Sequence, residues 1–235
     1  MEEIRERIAR ARRIVAFTGA GISVESGIPT FRGPEGLWRR FRAEDLATAG
    51  AFERNPTLVW EWYDSRRQAM AIAQPNAGHH ALASLERRAP EFTLITQNID
   101  GLHDRAGSRN VLKLHGDIWT VRCTGCGRES QDDRTPLPDL PPRCECGALL
   151  RPAVVWFGEF LPPGVWSKAE HASARADVFL IVGTSAVVHP AAGLIDVARM
   201  AGATTVEINP QATPYSDAVD YALRGPAGEI LPTLL

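Results

Sequence analysis

Apolar residues along the chain follow two different spacings, and each spacing predicts one kind of element. Six short runs rich in Val, Ile, Leu and Phe have the length and composition of buried strands. These runs predict strands at residues 14–17, 92–96, 111–114, 154–159, 178–182 and 205–208.

Between these runs, apolar residues recur three and four positions apart, which is the spacing of amphipathic helices. Helices are predicted within 1–13, within 36–73 (two or three, one starting at Asn55-Pro56), up to 88, and at 166–175, 190–200 and 227–234. We expect Pro232 to shorten the last of them. Strands that alternate with helices predict an α/β fold with a parallel sheet.

The first predicted strand leads into a glycine-rich turn. Gly19 and Gly21 follow it, and a helix is predicted to begin near residues 22–26. Without a Cβ, the glycines let the backbone approach a ligand, and the start of a helix directs unpaired amides at one point. The turn therefore predicts a phosphate site. Val24 stands where a dinucleotide fingerprint needs a third glycine, which disfavours an ordinary Rossmann dehydrogenase and leaves a plain surface loop as the alternative.

The segment after this helix carries two groups that suit a bound nucleotide. Because Pro29 ends the helix, Phe31 and Arg32 are predicted to lie in a loop. Arg32 offers a guanidinium for a diphosphate. Phe31 offers a ring that could cover an apolar ring or a reactive carbon.

Polar side chains also follow the next two predicted strands. Gln97, Asn98 and Asp100 come after the second strand, and they suit an amide and ribose hydroxyls because they supply both donors and acceptors. The third strand ends in His115, a candidate general base because imidazole titrates near neutral pH. The carboxyl ends of parallel strands form the ligand crevice of such sheets, so we expect one shared site. A structural histidine is the alternative.

All four cysteines fall in a proline-rich region. Cys123 and Cys126 form one close pair and Cys144 and Cys146 the other, with 17 residues between the pairs. Four thiolates presented in this way can bind zinc tetrahedrally, and a closed site of this kind is structural. The single spacer residue of the second pair makes simultaneous chelation harder, and disulfides are the alternative.

Two further features bear on a substrate. Tyr63 and Arg66 are three residues apart in an aromatic-rich predicted helix, so they share a face and could converge on one anion. A packed ring beside a solvated arginine is the alternative. The predicted strand at 154–159 has one edge available, where an extended peptide could add as a further strand.

Composition narrows the class of protein. The chain has 235 residues, of which 44% are hydrophobic and 23% charged, as in a globular protein. A formal net charge of −2 gives no electrostatic reason to expect a nucleic acid or an anionic membrane as a partner. No apolar run reaches the length of a membrane span, and residues 1–13 are charged rather than signal-like, so we expect a cytoplasmic protein.

Taken together, these residues resemble the sirtuins, a family of NAD-dependent protein-lysine deacylases. The shared motifs occur in family order over nearly the whole chain: GAGIS, SGIPTFR, TQNID, LHG, the two cysteine pairs, GTS and INP. The resemblance implies a Rossmann-like domain formed by residues 1–32, 81–118 and 158–235. It also implies a helical module at 33–80, a small domain with one structural zinc at 119–157, and NAD as co-substrate.

By matching motif, the resemblance implies roles for individual residues. His115 would be the catalytic base, with Asn98 as a second catalytic residue at the ribose. The residues implied in NAD binding are Gly19, Ala20, Gly21, Ile22, Ser23, Phe31, Arg32, Trp38, Gln97, Asn98, Ile99, Asp100, Gly183, Thr184, Ser185, Asn209, Gln211 and Ala227.

Tyr63 and Arg66 also resemble the Tyr-x-x-Arg pair of class III sirtuins, which contacts the terminal carboxylate of succinyl- or malonyl-lysine. The small Ala43 would leave room for the longer acyl chain. The resemblance thus implies removal of succinyl, malonyl and also acetyl groups from protein lysines, giving nicotinamide and 2′-O-acyl-ADP-ribose. A predominant deacetylase, a mono-ADP-ribosyltransferase and a non-catalytic NAD-binding module are the alternatives. We expect a monomer.

Overall fold

The computed structural model describes residues 1–32, 36–39 and 42–235. The strands are β1 (Arg13–Thr18), β2 (Glu91–Thr96), β3 (Val111–Lys113), β4 (Gly116–Cys123), β5 (Glu129–Gln131), β6 (Leu150–Val154), β7 (Val178–Val182), β8 (Thr204–Ile208) and β9 (Tyr221–Leu223). The α-helices are α1 (Glu2–Arg10), α2 (Ala43–Leu46), α3 (Ala49–Arg54), α4 (Pro56–Ile72), α5 (Ala77–Arg88), α6 (Leu102–Arg105), α7 (Pro163–Arg175), α8 (Gly193–Met200) and α9 (Ala227–Leu234). Ala20–Ser26 and Leu37–Arg39 form 3₁₀ helices.

A six-stranded sheet with the order β3-β2-β1-β7-β8-β9 forms the centre of the molecule. Neighbouring strands run parallel throughout. The strand order reverses between β1 and β7, and open α/β sheets bind ligands in the crevice at the carboxyl ends of the strands at such a reversal. The predicted Rossmann-like α/β fold is confirmed.

The central strands are buried on both faces because helices cover each side of the sheet. On β1, Ile14 and Ala16 belong to a core shared with α1, α5 and α9, whereas Val15 and Phe17 belong to a core shared with α7 and α8. Strands buried in this way read as continuous apolar runs. This explains why apolar runs alone located β1, β2, β7 and β8.

A three-stranded antiparallel sheet, in the order β5-β4-β6, lies apart from the main sheet. Its apolar residues pack against α3 and α4 in a separate core that includes Trp60, Ile118 and Val154. The helices before β2 and residues 116–154, which form the small sheet and are called the cysteine-rich insertion below, therefore stabilise each other. The sequence did not predict β4, β5, β6 or β9 as they stand.

The chain from 154 to 159 is not a strand, and that prediction is wrong except for Val154, the last residue of β6. The amide of Val155 still donates to the carbonyl of His115, at 2.9 Å. The Glu159 carboxylate then accepts from the Trp156 amide at 2.9 Å, so the chain turns. These bonds occupy part of the edge that we expected a peptide to use.

Helix boundaries agree more closely with the sequence. Asn55 caps α4 as predicted, since its side chain accepts from the amide of Leu58 at 3.0 Å. The helix expected near residues 22–26 is a 3₁₀ helix, and α8 begins three residues late because turns occupy residues 190–192. Pro232 lies within α9 and does not shorten it.

No helix in the described part of the chain is both long and apolar enough to cross a membrane. The main sheet uses strands from both ends of the chain, and the small sheet uses residues 116–154. The three-part division into domains stays a prediction.

Candidate active site

The loops after β1 and β7 touch each other at the carboxyl edge of the main sheet. The amide of Gly19 donates to the carbonyl of Val182 at 3.0 Å, and that of Gly21 to the carbonyl of Gly183 at 2.7 Å. A Cβ on Gly21 would lie 2.6 Å from the carbonyl oxygen of Gly183, so no larger residue fits. These bonds occupy the amides of Gly19 and Gly21, and the phosphate site at this turn stays a prediction for its other amides.

A buried hydrogen-bond network joins the loop after β1 to the loop after β2. Asn98 Nδ2 donates to the carbonyl of Gly19 at 3.1 Å and to Ser23 Oγ at 3.2 Å. Ser23 Oγ in turn donates to Asp100 Oδ2 at 2.8 Å. Burial raises the pKa of Asp100 above its ordinary value, although this bond opposes the shift. The network brings together residues that the sequence placed in one site.

Gln97 connects the candidate base to the loop after β7. Its side-chain Nε2 donates to Thr184 Oγ1 at 2.9 Å, and its carbonyl accepts from His115 Nδ1 at 3.0 Å. Because a carbonyl can only accept, the proton of neutral His115 is on Nδ1 and the lone pair is on Nε2. Burial lowers the pKa of His115, so the neutral form dominates at pH 7. The ring therefore has the tautomer and charge of a general base.

Further residues that the resemblance implies in NAD binding follow β7 and β8. Thr184 and Ser185 come just after β7, and Asn209 comes directly after β8, so they lie at the same carboxyl edge. Asn209 Nδ2 donates to the carbonyl of Gln211 at 2.8 Å, which fixes the turn between them. Ala227 is buried at the first residue of α9.

The remaining candidate NAD-binding residues differ in burial, and some of them lie outside the described part of the chain. Ala20 and Ile99 are half-buried, Ile22 is buried, and Arg32 is exposed in the loop after the first 3₁₀ helix. Trp38 lies in the second 3₁₀ helix, but its side chain is outside what the structure describes. Residues 33–35 of the predicted cofactor loop also lie outside the described residues.

Arg66 is buried against aromatic rings. Its Cζ lies 4.6 Å from the centroid of the Phe31 ring and 5.2 Å from that of Trp62. Its Nε has no hydrogen-bond partner among the described residues. Burial lowers the pKa of Arg66 to about 10, so the side chain is still charged at pH 7. The alternative of a solvated arginine is wrong, since only 8% of the residue is exposed.

Tyr63 is buried one turn before Arg66 on α4. Its Oη accepts a hydrogen bond from Trp156 Nε1 at 3.0 Å, which leaves its own O–H to donate. Burial raises the pKa of Tyr63 to about 12, so the hydroxyl keeps its proton at all ordinary pH values. Ala43 opens α2, a helix that packs against α4, and is half-buried.

The four cysteines form one cluster in the small sheet and the loops beside it. Their Sγ atoms all lie within 4.8 Å of one another, with Cys123 and Cys146 at 3.4 Å and Cys126 and Cys144 at 3.8 Å. Zn–S bonds of about 2.3 Å in a tetrahedron place the sulfurs about 3.8 Å apart, so the cluster fits one structural zinc. The cysteines are free thiols rather than disulfides, and the single spacer residue does not prevent the four from meeting.

Comparison with known proteins decides the family. The model of the Sir2 family matches residues 19–190. The chain belongs to the Sir2 family. The NAD-dependent protein deacylase of Aquifex aeolicus is 59% identical over 208 residues, which is 88% of this chain and 87% of that protein.

Solved structures of Sir2 homologues also superpose on this Sir2-family chain. A Sir2 homologue in complex with NAD has a TM-score of 0.94 and 50% identity, covering 100% of this chain and 92% of that one. A mutant Sir2 homologue in complex with 2′-O-acetyl-ADP-ribose has a TM-score of 0.94 and 51% identity, covering 100% and 94%. The resemblance to sirtuins, drawn from motifs, is thus confirmed.

Two buried histidines of this Sir2-family protein were missed by sequence reasoning. His79 Nδ1 accepts from the amide of Asn76 at 3.3 Å, so its proton is on Nε2, 3.5 Å from Ser23 Oγ. Burial lowers the pKa of His79 to about 4, and the ring of His103 lies 4.9 Å away. Asn76 and His79 have the spacing of a capping box, which could have indicated the local bond but not the contact with Ser23.

Proposed function

We propose that this chain is an NAD-dependent protein-lysine deacylase. The observation that carries the proposal is His115, whose Nδ1 proton is held by the carbonyl of Gln97 while Nε2 keeps its lone pair. Gln97, which holds this base, is followed in the chain by Asn98, a member of the buried network of Ser23, Asn98 and Asp100. Relatives named as NAD-dependent protein deacylases and Sir2 homologues in complex with NAD support the same reaction.

We assign NAD to the crevice where the loops after β1, β2, β7 and β8 meet. Gln97 and Asn98 face the ribose next to nicotinamide, and Asp100 accepts from the nicotinamide amide. Thr184 and its neighbours lie on the phosphate side, and Asn209 binds the adenosine. The support is that each residue lies in a loop at the carboxyl edge of the main sheet.

The chemistry divides between co-substrate and protein. NAD supplies the ribose that receives the acyl group. The bond between nicotinamide and ribose and the amide bond of the acyl-lysine both break, one water is consumed, and the products are nicotinamide, free lysine and 2′-O-acyl-ADP-ribose. His115 Nε2 takes a proton from a ribose hydroxyl, which makes that oxygen nucleophilic toward the acyl carbon. The carbonyl of Gln97 keeps the ring in position and stabilises the imidazolium that forms. The protein activates no nucleophilic side chain of its own.

Replacement of the base tests this mechanism. His115→Ala is expected to lower NAD-dependent deacylation by about a hundredfold or more, the usual contribution of a general base. The NAD dissociation constant, measured by calorimetry, should stay within about twofold because Ser23, Asn98 and Asp100 keep their mutual bonds. The exposed His171→Ala is the matched control and should turn over like wild type. Wild-type turnover by His115→Ala would discard the proposed base.

We also infer a preference for acidic acyl groups. A guanidinium buried without a partner costs free energy, and a ligand carboxylate would supply the missing partner. The Nε of Arg66 is buried without a partner among the described residues, and Tyr63 has an O–H to donate beside it. A neutral acetyl group can use neither, so succinyl- and malonyl-lysine gain binding energy that acetyl-lysine does not. Ala43 at the start of α2 leaves room for the longer chain.

Loss of the charge at position 66 tests the preference. Arg66→Met keeps an unbranched apolar side chain and is expected to lower kcat/KM for a succinyl-lysine peptide about tenfold or more. The value for the acetyl-lysine peptide of the same sequence should change by no more than about threefold. The exposed Arg54→Met serves as control and should leave both values unchanged. Equal losses for the two peptides would contradict an acidic pocket.

A further inference from the structure

Two neighbouring arginines of α4 are both buried, and the Nε of each lacks a hydrogen-bond partner in the described part of the chain. Their surroundings otherwise differ, since the guanidinium of Arg66 lies among aromatic rings. Arg67 is fully buried, and both of its terminal nitrogens are bonded to other parts of the protein. The Arg66 guanidinium can therefore bind a ligand, whereas the Arg67 guanidinium is already hydrogen-bonded within the protein.

The partners of Arg67 all belong to the cysteine-rich insertion. Its Nη1 donates to the carbonyl of Ile118 at 3.1 Å, and its Nη2 donates to the carbonyls of Arg134, at 2.9 Å, and of Asp132. The carboxylate of Asp132 lies 3.7 Å from the same Nη2, and the guanidinium stacks 5.3 Å from the ring centroid of Trp119. One guanidinium thus ties α4 to two separate segments of the insertion.

Two more residues of α4 bond to the same insertion. Asp64 is 4% exposed, and its Oδ1 accepts from the amide of Leu137 at 2.9 Å. Trp60 Nε1 donates to the carbonyl of Leu150 in β6 at 2.7 Å. Trp60, Asp64 and Arg67 are spaced i, i+4 and i+7, so they lie along one face of the helix.

We propose that Arg67 is a positioning residue for recognition of the acyl group. Its bonds to the insertion fix the rotation and the axial position of α4, and these set where Tyr63 and Arg66 stand. The inference rests on the proposed function, because it assigns the acyl group to Tyr63 and Arg66. A misplacement of about 1 Å is enough to weaken a bidentate or charge-assisted contact strongly.

Lysine at position 67 keeps the charge but cannot reproduce this pattern. A guanidinium is a planar fork that serves several carbonyls in fixed directions, whereas an ammonium is a single point on a flexible stem. Arg67→Lys should therefore loosen α4 without burying a new apolar surface. NAD should be affected much less, since its proposed residues lie in loops of the main sheet.

The test is a comparison of Michaelis constants in the full-length, zinc-loaded enzyme. For Arg67→Lys, KM for a succinyl-lysine peptide is expected to rise about fivefold or more, whereas KM for NAD should stay within about twofold. Arg13→Lys is the matched control, because Arg13 also has a buried Nε without a partner in the described residues and pairs with Asp177 at the far, amino edge of the main sheet. It should leave both constants unchanged.

A second pair of variants keeps the inference testable if Arg67→Lys does not fold. Asp64→Ala removes the acceptor for the amide of Leu137 and should raise KM for the succinyl peptide in the same way. Asp64→Asn restores an acceptor oxygen and should restore most of the wild-type constant.

The outcomes separate this inference from the proposed function. A wild-type enzyme that deacylates, together with peptide KM values unchanged in both Arg67→Lys and Asp64→Ala, would overturn the inference alone. A lower melting temperature with unchanged constants, or equal rises in KM for peptide and NAD, would also overturn it by showing a purely structural role. A wild-type enzyme without NAD-dependent turnover of any acyl peptide would overturn the proposed function itself.

Discussion

At the scale of single residues, burial sets the charge states on which the chemistry depends. The site holds His115 with a pKa lowered by burial, Asp100 with a pKa raised by burial, and Arg66 with a pKa lowered to about 10. Each shift has the same cause, since burial disfavours the charged form of any group. Arg66 loses its charge as pH rises through about 10, where the base is already neutral.

This difference predicts how acyl selectivity changes with pH. Arg66 is charged below its pKa of about 10 and loses its charge as pH rises through that value, so the ratio of desuccinylation to deacetylation should fall as pH increases from 8 to 10.5. The ratio of kcat/KM values for the two peptides reports the free enzyme, and the titration of His115 cancels because both peptides use it. In Arg66→Met the ratio should not change with pH. A constant ratio in the wild type would contradict the role of Arg66.

Sequence reasoning found the residues of the site that stand in local motifs and missed those brought in from a distance. His115, Asn98 and Asp100 follow predicted strands, so their placement at one edge followed from the fold. Trp156, which donates to Tyr63, is 93 residues away from it in the chain, and no local pattern links the two. The contact of His79 with Ser23 spans 56 residues and was missed for the same reason.

At the scale of elements, strands buried on both faces were predictable and the small sheet was not. A continuous apolar run marks a strand covered by helices on each side, as in β7. In β6 the strand contains Arg151 and Pro152, whereas the apolar residues just after it form a turn. Pairing with β4 decides that a strand forms there, and pairing across the chain cannot be read from local periodicity.

For helix α4, too, the sequence predicted only part of the structure. Its start was predicted from Asn55 and Pro56, which cap and open it. The buried face of α4 was not predicted, because it includes Asp64 and Arg67, and charged residues normally indicate a solvent-exposed side of a helix. The partners that make their burial possible lie in the insertion, more than fifty residues further along the chain.

At the scale of the whole molecule, the two sheets support different parts of the proposed active site. The main sheet presents the proposed NAD-binding loops and His115 at its carboxyl edge. The small sheet, with its cysteine cluster, bonds to α4, which carries the proposed acyl-binding residues. Structural zinc would therefore support the acyl pocket through the insertion, without taking part in the chemistry.

The most direct test of this account is mass spectrometry of one peptide carrying acetyl-, succinyl- or malonyl-lysine, incubated with the enzyme with and without NAD. We predict NAD-dependent loss of the acyl group with formation of 2′-O-acyl-ADP-ribose, faster for the two acidic groups than for acetyl. Faster removal of acetyl would keep the deacylase and discard the acidic pocket. No NAD-dependent removal of any acyl group would contradict the account, and a mass gain of ADP-ribose on a protein substrate without free lysine would assign the NAD site to ADP-ribosyl transfer.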